Sequence, residues 1–412
     1  MNKTINVYAG WREDDPQRIG TLYSFTTRGQ ESFSFEFDNN WLTSSSNRFL
    51  FDYDLLPYTG RQYQQDDKPI FGIFADSCPD RWGRLLMQRR EAIYASEEGR
   101  VPRKLTESDY LLGVYDEARM GGLRFKTETD GPFLSSDDRL ATPPWVELRK
   151  LESAVRHIET NENLLEKKWL DQLLAPGSSL GGARPKATIR DEKGMLWIAK
   201  FPSKHDEYDI GAWEMVAHDL ALLCGLFVPE AKLEHFSKKA GTFLIKRFDR
   251  TIDRRVHFSS AMTMLGKTDM DNSASYLDIA GFLRAHSADA SSDLEELWKR
   301  MVFNMAISNS DDHLRNHGFI LSEKGWRLSP AYDINPIPYG DQLSLQIVPG
   351  DSRIHRDLAV SSAHYYGINK NTAEKTANEI IKTVRNNWEK LSSKYGIPRQ
   401  VTEYMRPAFS KL

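Results

Sequence analysis

Cysteine is scarce: Cys78 and Cys224 are the only two in 412 residues, and they lie far apart, without the close spacing of a metal site. A disulfide-stapled scaffold is therefore excluded, a reducing compartment is expected, and both residues read as core fillers. Charge of one sign is not in excess either, with 55 Lys plus Arg against 58 Asp plus Glu and a formal net charge of −3. Such a balance gives no general attraction to nucleic acid or anionic membranes, so any DNA contact has to come through a local patch or a partner. Long hydrophobic runs are missing: the most apolar stretch, Leu220–Val228, falls well short of the roughly 20 residues that cross a bilayer, so no membrane segment is expected. Met1–Gly10 holds one Lys and no apolar segment of signal length, which points to the cytoplasm. Internal repeats and low-complexity tracts are also lacking.

What is present is ordinary globular composition, 40% apolar and 27% charged, in a chain long enough for two or three cores. Short alternating runs at Ile5–Tyr8, Ile19–Phe25, Phe33–Phe37 and Pro69–Phe74 predict the strands of a small sheet. Pro79 then opens a helix carrying Trp82, Leu85, Leu86 and Arg89, with Asp80 in its first turn. Residues 127–145 are rich in Thr, Asp, Gly, Ser and Pro and read as a linker. Helices are predicted over Trp145–Glu159 and Asn161–Leu174. Strands follow at Lys186–Arg190 and Met195–Phe201, joined by the turn Asp191-Glu-Lys-Gly194. An amphipathic helix from Ile210 to Leu223 ends at Gly225; then come strands Ala231–His235 and Thr242–Phe248 and a largely helical remainder. The expected division is 1–135, 136–250 and 251–412: an N-terminal mixed domain, a small lobe and a mainly helical lobe.

The most informative stretch is Asn309-Ser-Asp-Asp-His-Leu-Arg-Asn316, a polar break between apolar segments with Asp311 and Asn316 five residues apart. That is the spacing of a kinase catalytic loop, in which the Asp accepts the substrate hydroxyl proton and the Asn holds magnesium. Phosphoryl transfer also needs a phosphate cradle and a fixed cation. Gly181 and Gly182 are candidates for the first, and Lys200 on its strand for the second. Each alone is a weak signal, and taken by themselves the glycines are better explained by an ordinary turn. Glu214 falls where it can pair with Lys200. Asp333, 22 residues after Asp311 and beyond the strand-like runs Gly318–Leu321 and Trp326–Ser329, would be returned by a hairpin as a second magnesium ligand with Asn316. Asp312 is the main rival to Asp311 for the base; spacing to Asn316 selects Asp311. His313 reads as a ligand or base or, the favoured alternative, as a structural hydrogen-bonder.

Together these residues resemble the HipA family of bacterial serine/threonine kinases, the toxins of toxin–antitoxin pairs. Phe71-Gly-Ile-Phe-Ala-Asp-Ser-Cys-Pro-Asp-Arg-Trp-Gly-Arg84 resembles that family's N-terminal signature, Leu180-Gly-Gly-Ala-Arg-Pro-Lys186 its glycine loop, Ala199-Lys-Phe201 its nucleotide lysine, and Lys246-Arg-Phe-Asp-Arg250 its lobe connector. The Asn309–Asn316 and Tyr332-Asp-Ile-Asn-Pro336 segments complete the set. The glycine loop departs at Arg184, where Gln is common. The resemblance implies an α+β, protein-kinase-like two-lobed fold with a HipA-type N-terminal domain. It implies ATP and Mg2+ as reactants, with Gly181, Gly182, Ala183, Lys200, Glu214, Lys246, Phe248 and His313 toward the nucleotide. It further implies autophosphorylation beside the glycine loop, where Ser179 matches best and Ser178 is the neighbouring alternative. Its implied partners are a protein substrate such as an aminoacyl-tRNA synthetase, a helix-turn-helix antitoxin, and operator DNA reached only through that antitoxin. Two other readings stay open: a small-molecule phosphotransferase, and a co-repressor acting through its antitoxin.

Overall fold

The computed structural model describes residues 2–11, 16–44, 47, 49–65, 67–134, 142–160, 173, 182–237, 240–271 and 273–412. Ser178, Ser179, Gly181 and nearly all of the helix expected at Asn161–Leu174 lie outside the described residues. The chain forms two compact units, Met1–Lys204 with Lys246–Ser259, and His205–Ile245 with Ser260–Leu412.

The first unit is built on an antiparallel sheet of β1 (Lys3–Ala9), β2 (Gln17–Thr27), β3 (Gln30–Phe37), β4 (Arg61–Tyr63) and β5 (Leu123–Lys126), in the order β4-β3-β2-β1-β5. The β2–β3 hairpin turns on Arg28 and Gly29, both at positive φ (53° and 80°), the backbone sense that matches strand twist. Phe33, Phe35, Phe37, Phe51, Phe71, Phe74 and Phe125 fill its core. Short helix α1 (Asn39–Thr43) follows β3.

Pro69–Phe74, expected as a strand, instead contains the one-turn helix α2 (Gly72–Ala75), and the edge strand is Arg61–Tyr63. The alternating apolar residues suit either form. What decides is the buried Asp52 carboxylate, which accepts the Ile73 amide at 2.7 Å and the Asp54 amide at 2.8 Å, giving a first-turn donor a partner outside any strand ladder. Burial pushes the Asp52 carboxyl up to about 7.

Helix α3 (Arg81–Glu97) starts at Asp80, whose side chain caps it through the Gly83 amide. α4 (Glu107–Gly113) starts with a reciprocal capping box between Thr106 and Asp109. The fully buried Arg119 donates to the Ser77, Leu111 and Val114 carbonyls, joining the turns at both ends of this helical layer. Cys78 is buried here, and loss of solvent pushes its thiol up to about 12; the partly buried Cys224 of the second unit is raised similarly. Cys78 is a core filler, as the sequence suggests, whereas Cys224 is only partly buried. Helix α5 (Leu148–Glu159) precedes the hairpin of β6 (Lys186–Arg190) and β7 (Leu196–Lys200). Its turn is organised by the Asp191 carboxylate, which accepts the Lys193 and Met195 amides and the Trp197 indole N–H.

In the second unit, α6 (Ile210–Leu223) is buried along most of its length, with Leu222 and Leu223 exposed at its end, and it is capped by Asp209 and closed by Gly225 at φ 74° as anticipated. A Cβ on Gly211 would meet the Gly241 carbonyl at 2.4 Å, so only glycine lets α6 lie this close to the hairpin of β8 (Ala231–Glu234) and β9 (Thr242–Lys246). Behind α6 runs the 25-residue α11 (Lys370–Lys394), introduced by α7 (Ala261–Met264), α8 (Tyr276–His286), α9 (Ala290–Ala306) and α10 (Arg356–Ser362) and followed by α12 (Arg399–Met405). Between α9 and α10 sits the hairpin of β10 (Gly318–Ser322) and β11 (Gly325–Leu328), with Phe319 opposite Leu328.

Candidate active site

The catalytic-type loop hangs between α9 and β10. At the end of α9, Ser308 adopts φ 50°, which turns the chain so that the Asn309 amide reaches the Asn304 carbonyl at 2.8 Å. The two adjacent aspartates then take opposite directions. Asp312 is 2% exposed and receives the Tyr276 phenol and His317 Nε2, the latter at 3.1 Å. Asn304 Nδ2 donates to the same phenol oxygen at 3.0 Å, and Asn309 Nδ2 to Asn304 Oδ1 at 3.2 Å. Burial alone would raise the Asp312 carboxyl, but His317 and these hydrogen bonds hold it below the usual carboxylate range. Asp312 is thus an internal strut with no free face for substrate. Asp311 is exposed, and partial desolvation, with repulsion from Asp333 and Asp312 and against the influence of His313, raises its carboxyl.

Asn316 closes the loop on Asp311: its Nδ2 donates to the Asp311 carbonyl at 3.1 Å, while its Oδ1 is buried and has no hydrogen-bond partner. A buried amide oxygen left without a partner is the kind of donor a hard, oxygen-seeking cation takes. The β10–β11 hairpin returns the chain as expected, and Tyr332 Oη donates to the Arg315 carbonyl at 2.8 Å, fastening the Asp333 segment to the loop. Asp333 itself sits at φ 56°, a left-handed conformation costly for a residue with a Cβ and concentrated at functional sites. Asn335 Nδ2 lies 3.5 Å from Asp333 Oδ1, and Asn335 Oδ1 is a second orphaned oxygen.

Asp311, Asn316 and Asp333 are therefore coupled within one unit. Glu214 belongs to the same unit, buried on α6. Lys200, at the end of β7, is buried in the first unit, which also holds the exposed Gly182 at φ 71° and Ala183. Along the connector, the half-buried Lys246 and Phe248 alternate with the buried Arg247 and Asp249. Asp249 accepts from Arg247, Arg250 and the Gly121 amide, and both arginines donate onward to the Arg119 carbonyl. Burial would raise the Asp249 carboxyl; the two guanidinium groups keep it low.

Four residues of this frame escaped sequence reasoning. His313 was favoured as the loop-fixing histidine, but its Nδ1 is buried without a partner, and the histidine hydrogen-bonded to the loop carboxylate is His317. Tyr276 and Asn304 lie 36 and 8 residues before Asp312, on two different helices, so no local pattern signals them. Asn335 alone had a signal, its place two residues after Asp333.

A two-unit α+β chain carrying this loop defines the class, and the comparisons supply the family. The HipA-like C-terminal domain family matches residues 178–388. The chain belongs to the HipA family. It is 29% identical over 220 residues to "Putative kinase Y4dM" of Sinorhizobium fredii, covering 48% of this chain and 52% of that protein. A "Putative kinase" of Haemophilus influenzae is 32% identical over 187 residues, covering 39% and 54%. The chain thus spans about half the length of these relatives. In fold it is similar to the HipA of a Shewanella oneidensis MR-1 toxin–antitoxin system, solved with HipB and operator DNA, with a TM-score of 0.69 at 16% identity, covering 98% of this chain and 95% of that one.

Proposed function

We propose that the protein is an ATP- and magnesium-dependent serine/threonine protein kinase, the toxin of a toxin–antitoxin pair. The observation that carries this reading is the opposite fate of neighbouring carboxylates: Asp312 is locked inside the fold, which leaves Asp311 presented beside the unpartnered oxygen of Asn316. Asn316 and Asp333 would hold magnesium, with Asn335 nearby, and Lys200, Gly181, Gly182, Ala183, Lys246 and Phe248 would face ATP, with Glu214 as the partner of Lys200. Bound together, ATP and magnesium supply the transferable phosphoryl group and neutralise its charge.

Asp311 accepts the proton of the substrate hydroxyl, and its raised carboxyl makes it a better base at neutral pH than an ordinary aspartate. Asn316 keeps the backbone of Asp311 in place through its amide hydrogen bond, so base and cation ligands are fixed by the same short loop. His313 works electrostatically against the rise of the Asp311 carboxyl. Ser179, or its neighbour Ser178, is the proposed site of regulatory autophosphorylation.

Functionally we assign 1–135 to a HipA-type N-terminal domain, 136–250 to the nucleotide lobe and 251–412 to the catalytic lobe. The proposed partners are a protein substrate of the aminoacyl-tRNA synthetase kind and a helix-turn-helix antitoxin through which operator DNA is reached, acting in the cytoplasm. The presence of HipB and operator DNA in the Shewanella complex supports the second partner. Among the described residues no helix is long and apolar enough to cross a membrane. The test is incubation with labelled ATP and magnesium followed by phosphosite mapping, with Asp311→Asn alongside. Label on Ser178 or Ser179 in the parent protein alone supports the proposal; bound ATP without any transfer to protein overturns it in favour of a small-molecule phosphotransferase or a non-catalytic co-repressor.

A further inference from the structure

The Phe71–Arg84 signature takes no part in the chemistry just proposed, yet it reaches the glycine loop. Asp80 divides its carboxylate between two tasks: Oδ1 caps α3 through the Gly83 amide at 2.8 Å, and Oδ2 binds Lys186 Nζ at 2.7 Å. Both side chains are nearly solvent-free, 6% and 4% exposed. Lys186 Nζ also lies 3.4 Å from the carbonyl of Gly182, whose φ of 71° marks the bend of the loop. Two residues further along the signature, the Trp82 indole N–H donates to the Lys186 carbonyl at 3.1 Å. One motif therefore grips both the side chain and the backbone of Lys186.

The register of the β6–β7 hairpin gives this grip a purpose. Lys186 stands directly opposite Lys200, and opposed residues of an antiparallel pair project from the same face. Two buried ammonium groups leaving one face repel each other, and a carboxylate on Lys186 offsets that repulsion beside the lysine proposed for the nucleotide.

We propose that Asp80 is a positioning residue: through Lys186 it sets residues 182–186 of the glycine loop and neutralises the cation next to Lys200. The positioning stands on the structure alone; its consequence for ATP rests on the kinase reading. The signature of the N-terminal domain is then part of the phosphate-binding apparatus, acting at one remove.

The experiment compares the full-length protein with Asp80→Asn, which keeps the size and the helix-capping oxygen, and with Trp82→Phe, which removes the bond to the Lys186 carbonyl together with part of the buried ring. Hydrogen exchange without nucleotide is read at Ala183, Arg184 and Lys186, and then the KM for ATP against kcat with magnesium present. The expected result is at least tenfold faster exchange at these amides in Asp80→Asn, a smaller change in Trp82→Phe, unchanged exchange in β1–β3, and a KM for ATP that rises more than kcat falls. Unchanged exchange at residues 183–186, or an equal rise throughout the first unit, overturns the proposal, because a merely structural ion pair predicts one or the other. Should Asp80→Asn fail to fold, Trp82→Phe carries the same decision. A parent protein that binds no ATP while Asp80→Asn still loosens the limb sinks the kinase reading and leaves the positioning role supported.

Discussion

Two buried carboxylates hold functional segments in this protein, and they hold them differently. Asp312 braces the catalytic-type loop through a phenol and an imidazole that are themselves fixed on neighbouring elements, and its carboxyl ends below the usual range. Asp80 braces the glycine-loop limb through an ammonium group, and its carboxyl ends above the usual range, because the loss of solvent outweighs the attraction of Lys186 and the helix-cap bonds. Both carboxylates have a basic partner and further hydrogen-bond donors; at Asp312 the influence of His317 and the Tyr276 phenol outweighs the loss of solvent, and at Asp80 that of Lys186 and the Gly83 amide does not. A deep brace suits a loop that, in the proposed function, keeps a base and a metal ligand in register. A shallow one suits a loop that, in the proposed regulation, has to change place when a nearby serine is phosphorylated.

The largest effect separates the two adjacent aspartates. Asp311→Asn should lower phosphorylation turnover by roughly 10²–10⁴-fold while leaving folding and ATP affinity close to the parent, measured by steady-state kinetics and calorimetry. If turnover survives, Asp311 is not the base and the contrast with Asp312 loses its functional meaning. Asp312→Ala should act on stability instead, costing about 3–5 kcal/mol in urea unfolding, since it strands Tyr276 and His317 without their buried partner. A loss under about 1 kcal/mol would show that the brace is shallow after all.

Acid and base should pull on the two units in opposite directions. Asp312 is depressed in the folded state, so its contribution is present above the unfolded carboxylate value of about 4 and is lost as pH falls through its lower folded value. Asp52, in the first unit, is raised to about 7, so its contribution is complete below about 4 and is lost as pH rises through 7, on the order of 4 kcal/mol at most. Hydrogen exchange of core amides such as Val7 and Val302, followed from about pH 2 to 8, checks this: Asp52→Asn should flatten the profile of the first unit and leave the second unchanged. The smallest effect concerns the residue that local pattern underplayed. Asn335→Ala should weaken magnesium-dependent ATP binding by roughly two- to tenfold, well below the effect of Asp333→Ala, in a magnesium titration monitored by nucleotide binding.

Much of the fold was legible in the chain. The hairpins around Asp191–Gly194 and between β10 and β11, the helix closed by Gly225, and the polar loop at Asn309–Asn316 are local patterns of period, turn residue and spacing, and they appear where read. Pro69–Phe74 was misread because alternation of buried apolar residues does not distinguish a strand from a short helix, and the deciding contact comes from Asp52, far back in the chain. The same limit applies at the site. Spacing could nominate Asp311 and Asn316, but only the fold could say which of two adjacent carboxylates is buried, since that depends on Tyr276, Asn304 and His317 arriving from separate elements.

By itself, then, the sequence determined what short-range chemistry determines: the element types, the turn positions and the spacing that marks the loop and its family. Tertiary structure alone decided the environments. It gave Asp311 to solvent and Asp312 to the core, left the Asn316 oxygen without a partner, turned Asp333 to a positive φ, and brought Asp80 to Lys186 across 106 residues. The physical reason is that burial, desolvation and hydrogen bonding depend on neighbours in space, and those neighbours are assembled only when distant segments meet.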